Sequence, residues 1–283
     1  MQVIDLHTHS NISDGTLSPE ALLALAAERS VDVLALTDHD SMQGIERARQ
    51  AAEQHGITLI SGVEISSQWS RPATKKSYSV HIVALNMQNP EALQIVLEQQ
   101  QQIRAERAER ICQKLQQLVK VDLYPEILLE VEQQPDRITR SHIAKALLKN
   151  GIVSRLQQAF DRFLKEGKPA YVKFDGLSLE DTVQAIHEAQ GFAVLAHPTR
   201  YDLSATNTRY LIELFAQSGG DAVELAPESD PLSTRQMVDR MIAQNNLKVS
   251  IGSDFHGEHM PWLKLGQAPR PRPEQVGIWE SFR

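Results

Sequence analysis

Six histidines and three carboxylates fall almost entirely just after short apolar runs: His7, His9, Asp14, His39, Glu64, His81, His197, Asp254 and His256. Neutral imidazole nitrogens and carboxylate oxygens suit borderline divalent ions such as Zn, Mn and Fe(II), and a carboxylate can bridge two of them. Gathered in one cavity without a cation, such groups would repel one another or stay unsatisfied, so a shared metal site accounts for many otherwise costly choices at once. The His7 and His9 pair is weak evidence by itself, because histidine is common on surfaces and in cores. The weight comes from Thr37-Asp38-His39-Asp40 and Gly252-Ser253-Asp254-Phe255-His256, which put further ligand types after other apolar runs.

The runs before these residues read as strands. VIDLH (Val3 to His7), VDVLALT (Val31 to Thr37), ITLISG before Glu64, SVHIVAL around His81, and later FAVLAHP, DAVEL and KVSIGSD are short and rich in β-branched residues or leucine. Between the first two, Ser18-Pro19-Glu20 predicts a capped helix start, and the stretch from Ser41 predicts a second helix closed by Gly56. Further helical patterns lie near 179–190, 207–217 and 231–244. Such alternation predicts an α/β fold with parallel strands and chemistry at the strands' C-terminal ends. Most of the nine fit that rule: His7 and His9 follow the first strand, His39 the second, Glu64 the third, His197 a later one, and Asp254 and His256 the last. Side chains two apart in an extended segment share a side, so His7 and His9 can face one cavity, as can Asp254 and His256. Asp5, Thr37, Asp40 and Glu224 are expected to orient ligand imidazoles from behind.

The middle differs. From about 90 to 175 the pattern is helical without convincing strands, with Ile103, Ile111, Leu115, Leu118 and Val119 roughly on one stripe. This predicts a helical insertion over 98–175 within a barrel made of 1–97 and 176–283. The stretch between Glu64 and His81, with Arg71, Lys75 and Lys76, reads either as a hairpin tip or as the flank of an entrance.

The formal net charge of −7 over 283 residues argues against a general nucleic-acid coat protein, which needs a basic excess. Residues 101–175, however, hold 14 Lys and Arg against 10 Asp and Glu, a local +4 that suits a phosphorylated ligand. Cys112 is the only cysteine, so an internal disulfide and a multi-thiolate metal site are both excluded. No leader-like segment opens the chain and no run approaches the ~18 apolar residues of a membrane span. The expectation is a cytoplasmic protein without a membrane or a stable protein partner.

The strings DLHTHS-x-x-SDG (Asp5 to Gly15), TDHD (Thr37 to Asp40), GVEIS (Gly62 to Ser66), HIVAL (His81 to Leu85), AHP (Ala196 to Pro198) and GSDFH (Gly252 to His256) resemble the PHP (polymerase and histidinol phosphatase) family. The resemblance is closest to the subgroup of 3′,5′-nucleoside bisphosphate phosphatases and 5′–3′ exoribonucleases of the RNase AM, or TrpH-like, kind. It implies a distorted (β/α)7 barrel with a helical insertion domain that covers the substrate, and three divalent ions, Mn foremost, with Fe or Zn possible. The implied ligands are His7, His9, Glu64 and Asp254 for one ion, Glu64, His81 and His197 for a second, and Asp14, His39 and His256 for a third. It further implies that Arg140, Ser141, His142 and Lys168 hold substrate phosphate; Arg104 and Arg107 also resemble the subgroup, but on an amphipathic helix they read as a polar face.

Three divalent ions against Asp14, Glu64 and Asp254 leave about +3, which makes a phosphate ester the natural guest. A metal-bound hydroxide would be the nucleophile, and no protein nucleophile is required. The implied substrates are 3′,5′-bisphosphonucleotides such as pAp, losing the 3′-phosphate, and short 5′-monophosphorylated RNA trimmed from its 5′ end. Histidinol phosphate, or another small phosphomonoester, is the alternative substrate.

Overall fold

A computed structural model describes residues 2–71 and 76–282; Lys75 lies outside them. Among the described residues the chain divides into two compact units, Met1–Leu97 with Leu177–Arg283, and Glu98–Gly176.

The first unit is a curled seven-stranded sheet in the order β1 (Ile4–Thr8), β2 (Val33–Leu36), β3 (Thr58–Arg71), β4 (Lys76–Leu85), β5 (Phe192–Leu195), β6 (Ala222–Glu224) and β7 (Lys248–Ser250). Every residue of β1 and β2 is buried, as expected for strands covered on both faces. Backbone hydrogen bonds from Leu6 to Ile251, from Asp254 to His7 and from His9 to Phe255 tie the first strand to the segment after the last. Helix α1 (Pro19–Glu28) starts where expected, with the Ser18 hydroxyl accepting from the Ala21 N–H. Helix α2 (Ile45–His55) ends on Gly56, whose left-handed φ of 68° makes glycine the fitting residue. It begins at Ile45 rather than Ser41, because a turn precedes it at Gly44, where a Cβ would lie 3.0 Å from Leu36 and 3.2 Å from Ile12 and Pro19.

One expectation needs correction. The sheet is not all parallel: β4 runs antiparallel to both β3 and β5, because it returns from β3 through a direct hairpin, whereas a parallel pair needs a long crossover. The third strand therefore does not stop before Glu64. Its first part, Thr58 to Ser61, pairs parallel with β2, and Gly62 to Arg71 continues as an arm of the hairpin. Glu64 sits where one pairing hands over to the other. His81 lies inside β4 for the same reason, since on a reversed strand the level of its neighbours' C-terminal ends falls early.

The second unit is helical. Its α3 (Gln94–Val119, entering from the first unit's sequence), α4 (Tyr124–Glu130), α5 (Arg140–Lys149) and α6 (Leu156–Ala159) surround a core of its own, including Ile111, Leu115, Ile127, Leu147 and Phe163. The buried stripe of α3 is Ala108, Ile111, Cys112 and Leu115; Leu118 is exposed, since periodicity fixes a face and not how far along it the partner core reaches. No described helix is long and apolar enough to cross a membrane.

Candidate metal centre

All nine predicted ligands of the first unit come together. His7 lies in the buried β1, and with Thr8 turned to hydrogen-bond the Ala35 carbonyl, His7 and His9 point the same way, their Nε2 atoms 3.1 Å apart. Glu64 is the hub. His81 Nδ1 lies 2.8 Å and His197 Nε2 3.0 Å from its Oε1, while His39 Nδ1 lies 2.9 Å and His9 Nε2 3.3 Å from its Oε2. Asp254 Oδ1 stands 3.4 Å from His7 Nε2, 3.2 Å from His9 Nε2 and 3.5 Å from His256 Nδ1. His256 Nε2 lies 3.2 Å from Asp14 Oδ1, and His39 Nε2 lies 3.8 Å from the same oxygen. Four overlapping groups have donor atoms within 4.8 Å of one another: His9, Asp14, His39 and His256; His7, His9 and Asp254; His7, Glu64 and His197; His39, Glu64 and His81.

The donor set fits divalent cations. Asp14 Oδ1 and His197 Nδ1 are buried without any hydrogen-bond partner, although an imidazole stands close to the aspartate oxygen. Crowded imidazole nitrogens and carboxylate oxygens, some buried without a partner, are what ligands of a shared cation present. Electrostatics agree. Burial and the nearby imidazoles of His256 and His39 push His9 down to about 3. Burial works against a charge on His256, but Asp14 and Asp254 lift it to about 10, and Glu224, Glu64 and Asp254 likewise lift His7 against its burial. Burial opposes ionisation of Asp14, Glu64 and Asp254, yet the surrounding imidazoles hold all three well below the usual carboxylate range. Without a cation, protons shared among imidazoles must balance these acids.

Of the four expected orienting groups, Glu224 holds an imidazole ligand directly. Its Oε1 accepts from His7 Nδ1 at 2.5 Å and its Oε2 from the His197 backbone N–H at 2.7 Å. Asp40 accepts from the backbone and hydroxyl of Ser66, both at 2.8 Å, and so fixes β3 two residues past Glu64. Asp5 braces backbone instead, accepting from Ser253 and Gly266, and the Thr37 hydroxyl bonds to Thr8 backbone, because the barrel's chain crossings leave amides near them. Asp40, His197 and Asp254 hold left-handed backbone (φ 48°, 29° and 55°), rare for non-glycine residues and common at functional sites.

Three residues escaped sequence reasoning. Asp38 accepts from Ser10 N–H and from the hydroxyls of Ser10 and Ser13, anchoring the loop that carries Asp14. The Tyr201 hydroxyl accepts from the His81 N–H and donates to the Ala196 carbonyl, and its ring stands edge-on to His81 and His197. Arg200 donates to Asp254 Oδ2. The only signal was the place of Asp38 within TDHD and of Arg200 and Tyr201 shortly after AHP.

In the helical unit, Thr139 caps α5: its hydroxyl accepts from the Ser141 and His142 N–H groups, and His142 Nδ1 accepts from the Thr139 N–H. Arg140 stands in the first turn, half-buried. Arg104 and Arg107 are not a solvated polar face: both are half-buried, with Nε donating to the carbonyls of Asp136 and Val172 respectively, since the α3 face carrying them turns inward. Burial, then repulsion from Arg140 and Arg104, pulls Arg107 down to about 9, and burial lowers Arg140. Lys168 is exposed on the turn after Gly167, its N–H donating to the Lys165 carbonyl.

Comparison with known proteins agrees with this picture. The PHP domain profile matches residues 5–174. A 5′-3′ exoribonuclease of Haemophilus influenzae is 37% identical over 279 residues, 98% of each chain. A 3′,5′-nucleoside bisphosphate phosphatase of Chromobacterium violaceum is 37% identical over 283 residues, 100% of this chain and 97% of the other. A solved structure of an amidohydrolase from Chromobacterium violaceum, with bound sulfate and no metal, superposes with a TM-score of 0.88 at 35% identity, covering 99% of this chain and 95% of that one. Another, described as a metal-dependent phosphoesterase from Bifidobacterium adolescentis, gives 0.77 at 26% identity, covering 98% and 92%.

Proposed function

The chain belongs to the PHP domain family, and from that premise we propose that it is a metal-dependent phosphoesterase acting on nucleotides: it releases the 3′-phosphate of 3′,5′-bisphosphonucleotides such as pAp and trims short 5′-monophosphorylated RNA from the 5′ end. The observation that carries the reading is the convergence of six imidazoles and three carboxylates on overlapping ligand groups, with Glu64 shared between them. Three divalent ions, manganese foremost, are assigned to His7, His9, Glu64 and Asp254, to Glu64, His81 and His197, and to Asp14, His39 and His256. When bound, they supply positive charge for a phosphate dianion, an acidified water and stabilisation of the leaving oxygen.

The protein's own part is preorganisation. Glu224 fixes the His7 tautomer, so that Nε2 faces the centre, and Asp40 and Asp38 hold the backbones that bear Glu64 and Asp14. Arg140, Ser141, His142 and Lys168 recognise a substrate phosphate other than the one that is hydrolysed. The repulsion among Arg104, Arg107 and Arg140 favours that role, because an anion among three guanidiniums relieves it, and the positive end of the α5 dipole adds to the attraction. Nucleotide substrates and a single buried thiol suit a cytoplasmic setting.

The test compares manganese-loaded protein on pAp, histidinol phosphate and 5′-phosphorylated oligoribonucleotides. pAp and the oligoribonucleotides should be the better substrates, and Arg140→Ala should weaken chiefly those carrying a 5′-phosphate. Preference for histidinol phosphate would replace the nucleotide reading with that of a histidinol-phosphate phosphatase, and inertness toward every phosphate ester would end it.

A further inference from the structure

We propose that Arg200 is a phosphate-binding residue of the metal centre, clamped by Asp254 so that its remaining N–H groups face the reacting phosphate. The inference rests on the phosphoesterase reading and adds a substrate contact to it. The Asp254 carboxylate is divided: Oδ1 faces His7, His9 and His256, whereas Oδ2 accepts from Arg200 Nη1. A guanidinium carries five N–H donors in a rigid fork. Only Nη1 is used, and no other described residue accepts from the rest of the fork. The side chain is 34% exposed, against 13% for Asp254, so the unused donors open to solvent at the rim of the ligand cluster.

The mounting is firm. Arg200 N–H donates to the His197 carbonyl, closing a turn directly after a ligand, and the neighbouring Tyr201 hydroxyl ties that turn to β4 and to Ala196. A counter-ion alone would not require this. Asp254 already has three imidazoles around one oxygen, and a freely moving lysine would neutralise the other equally well. A planar fork on a braced turn, with one edge on a ligand and the other open, suits tetrahedral oxyanions, which accept two parallel N–H bonds.

Binding of inorganic phosphate is measured by calorimetry at saturating Mn2+ on wild type, Arg200→Met and Arg200→Lys, with bound manganese counted by metal analysis and folding checked by thermal melting. Arg200→Met should carry the wild-type amount of manganese and lose about tenfold or more in phosphate affinity, the scale of one charge-assisted hydrogen bond; Arg200→Lys should recover part of it. A smaller loss in Arg200→Met, a loss that only follows missing manganese, or a wild type that binds no phosphate would each overturn the assignment. Hydrolysis of pAp by wild type is followed in parallel. If wild type turns over pAp while Arg200→Met binds phosphate normally, the Arg200 contact falls and the phosphoesterase stands; if phosphate binding depends on Arg200 but wild type hydrolyses no phosphate ester, the reverse holds.

Discussion

An imidazole is a useful ligand only when the correct nitrogen is presented, and a partner on its other nitrogen decides which one that is. Glu224 does this for His7 and also holds the backbone N–H of His197, so one carboxylate orients two ligands from different strands. Glu224→Gln should therefore weaken Mn2+ binding about 10–100-fold with the fold retained; calorimetric titration checks this, and an unchanged Kd would remove Glu224 from the site. The charge balance sets a pH dependence as well. His256 is lifted from 6.5 to about 10 in the folded protein, so in the metal-free state it contributes stability that is complete below its ordinary pKa and is lost as pH rises through about 10. The melting temperature of metal-free protein should fall between about pH 7 and 10, and saturating Mn2+ should suppress that fall, because the cation takes the proton's place. A flat metal-free profile would contradict the assignment of His256 to the cluster.

At the scale of elements, the site depends on how closely the first strand meets the segment after the last. Gly252 is the contact point: a Cβ there would lie 2.3 Å from His7 Cβ and 3.0 Å from its backbone nitrogen. Gly252→Ala must push β1 and the Asp254 segment apart and displace His7 and Asp254 together. We expect a lowered melting temperature and loss of at least one bound manganese by metal analysis; full metal content with wild-type stability would show that the strands have slack the packing does not suggest. The hairpin of β3 and β4 plays the matching part across the sheet. It lets Glu64 and His81 enter from adjacent antiparallel arms, two residues out of register, and this cross-strand closeness is what makes one carboxylate a hub.

On the scale of the whole molecule, two units have separate cores, with the proposed metal ligands in the sheet unit and the clustered arginines in the helical one. Metal binding should accordingly stabilise the barrel: at a free Mn2+ concentration 100 times Kd the gain is about 2.7 kcal/mol. Chelation should lower hydrogen-exchange protection in β1, β3 and β7 more than in α3 and α5, and uniform loss across both units would refute the division. Sequence alone determined the donor inventory, the helix start at Ser18, the α/β alternation and the helical middle, because residue chemistry, capping and periodicity are local. The family resemblance was legible for the same reason, since short motifs keep their spacing. Only the tertiary structure decided the reversal of β4, Glu64's position inside a strand rather than after one, the inward turn of Arg104 and Arg107, and the clamp of Arg200 on Asp254. Each of these depends on which segments meet across long stretches of chain, and strand direction and long-range charge pairing leave no periodic trace in the residues that take part.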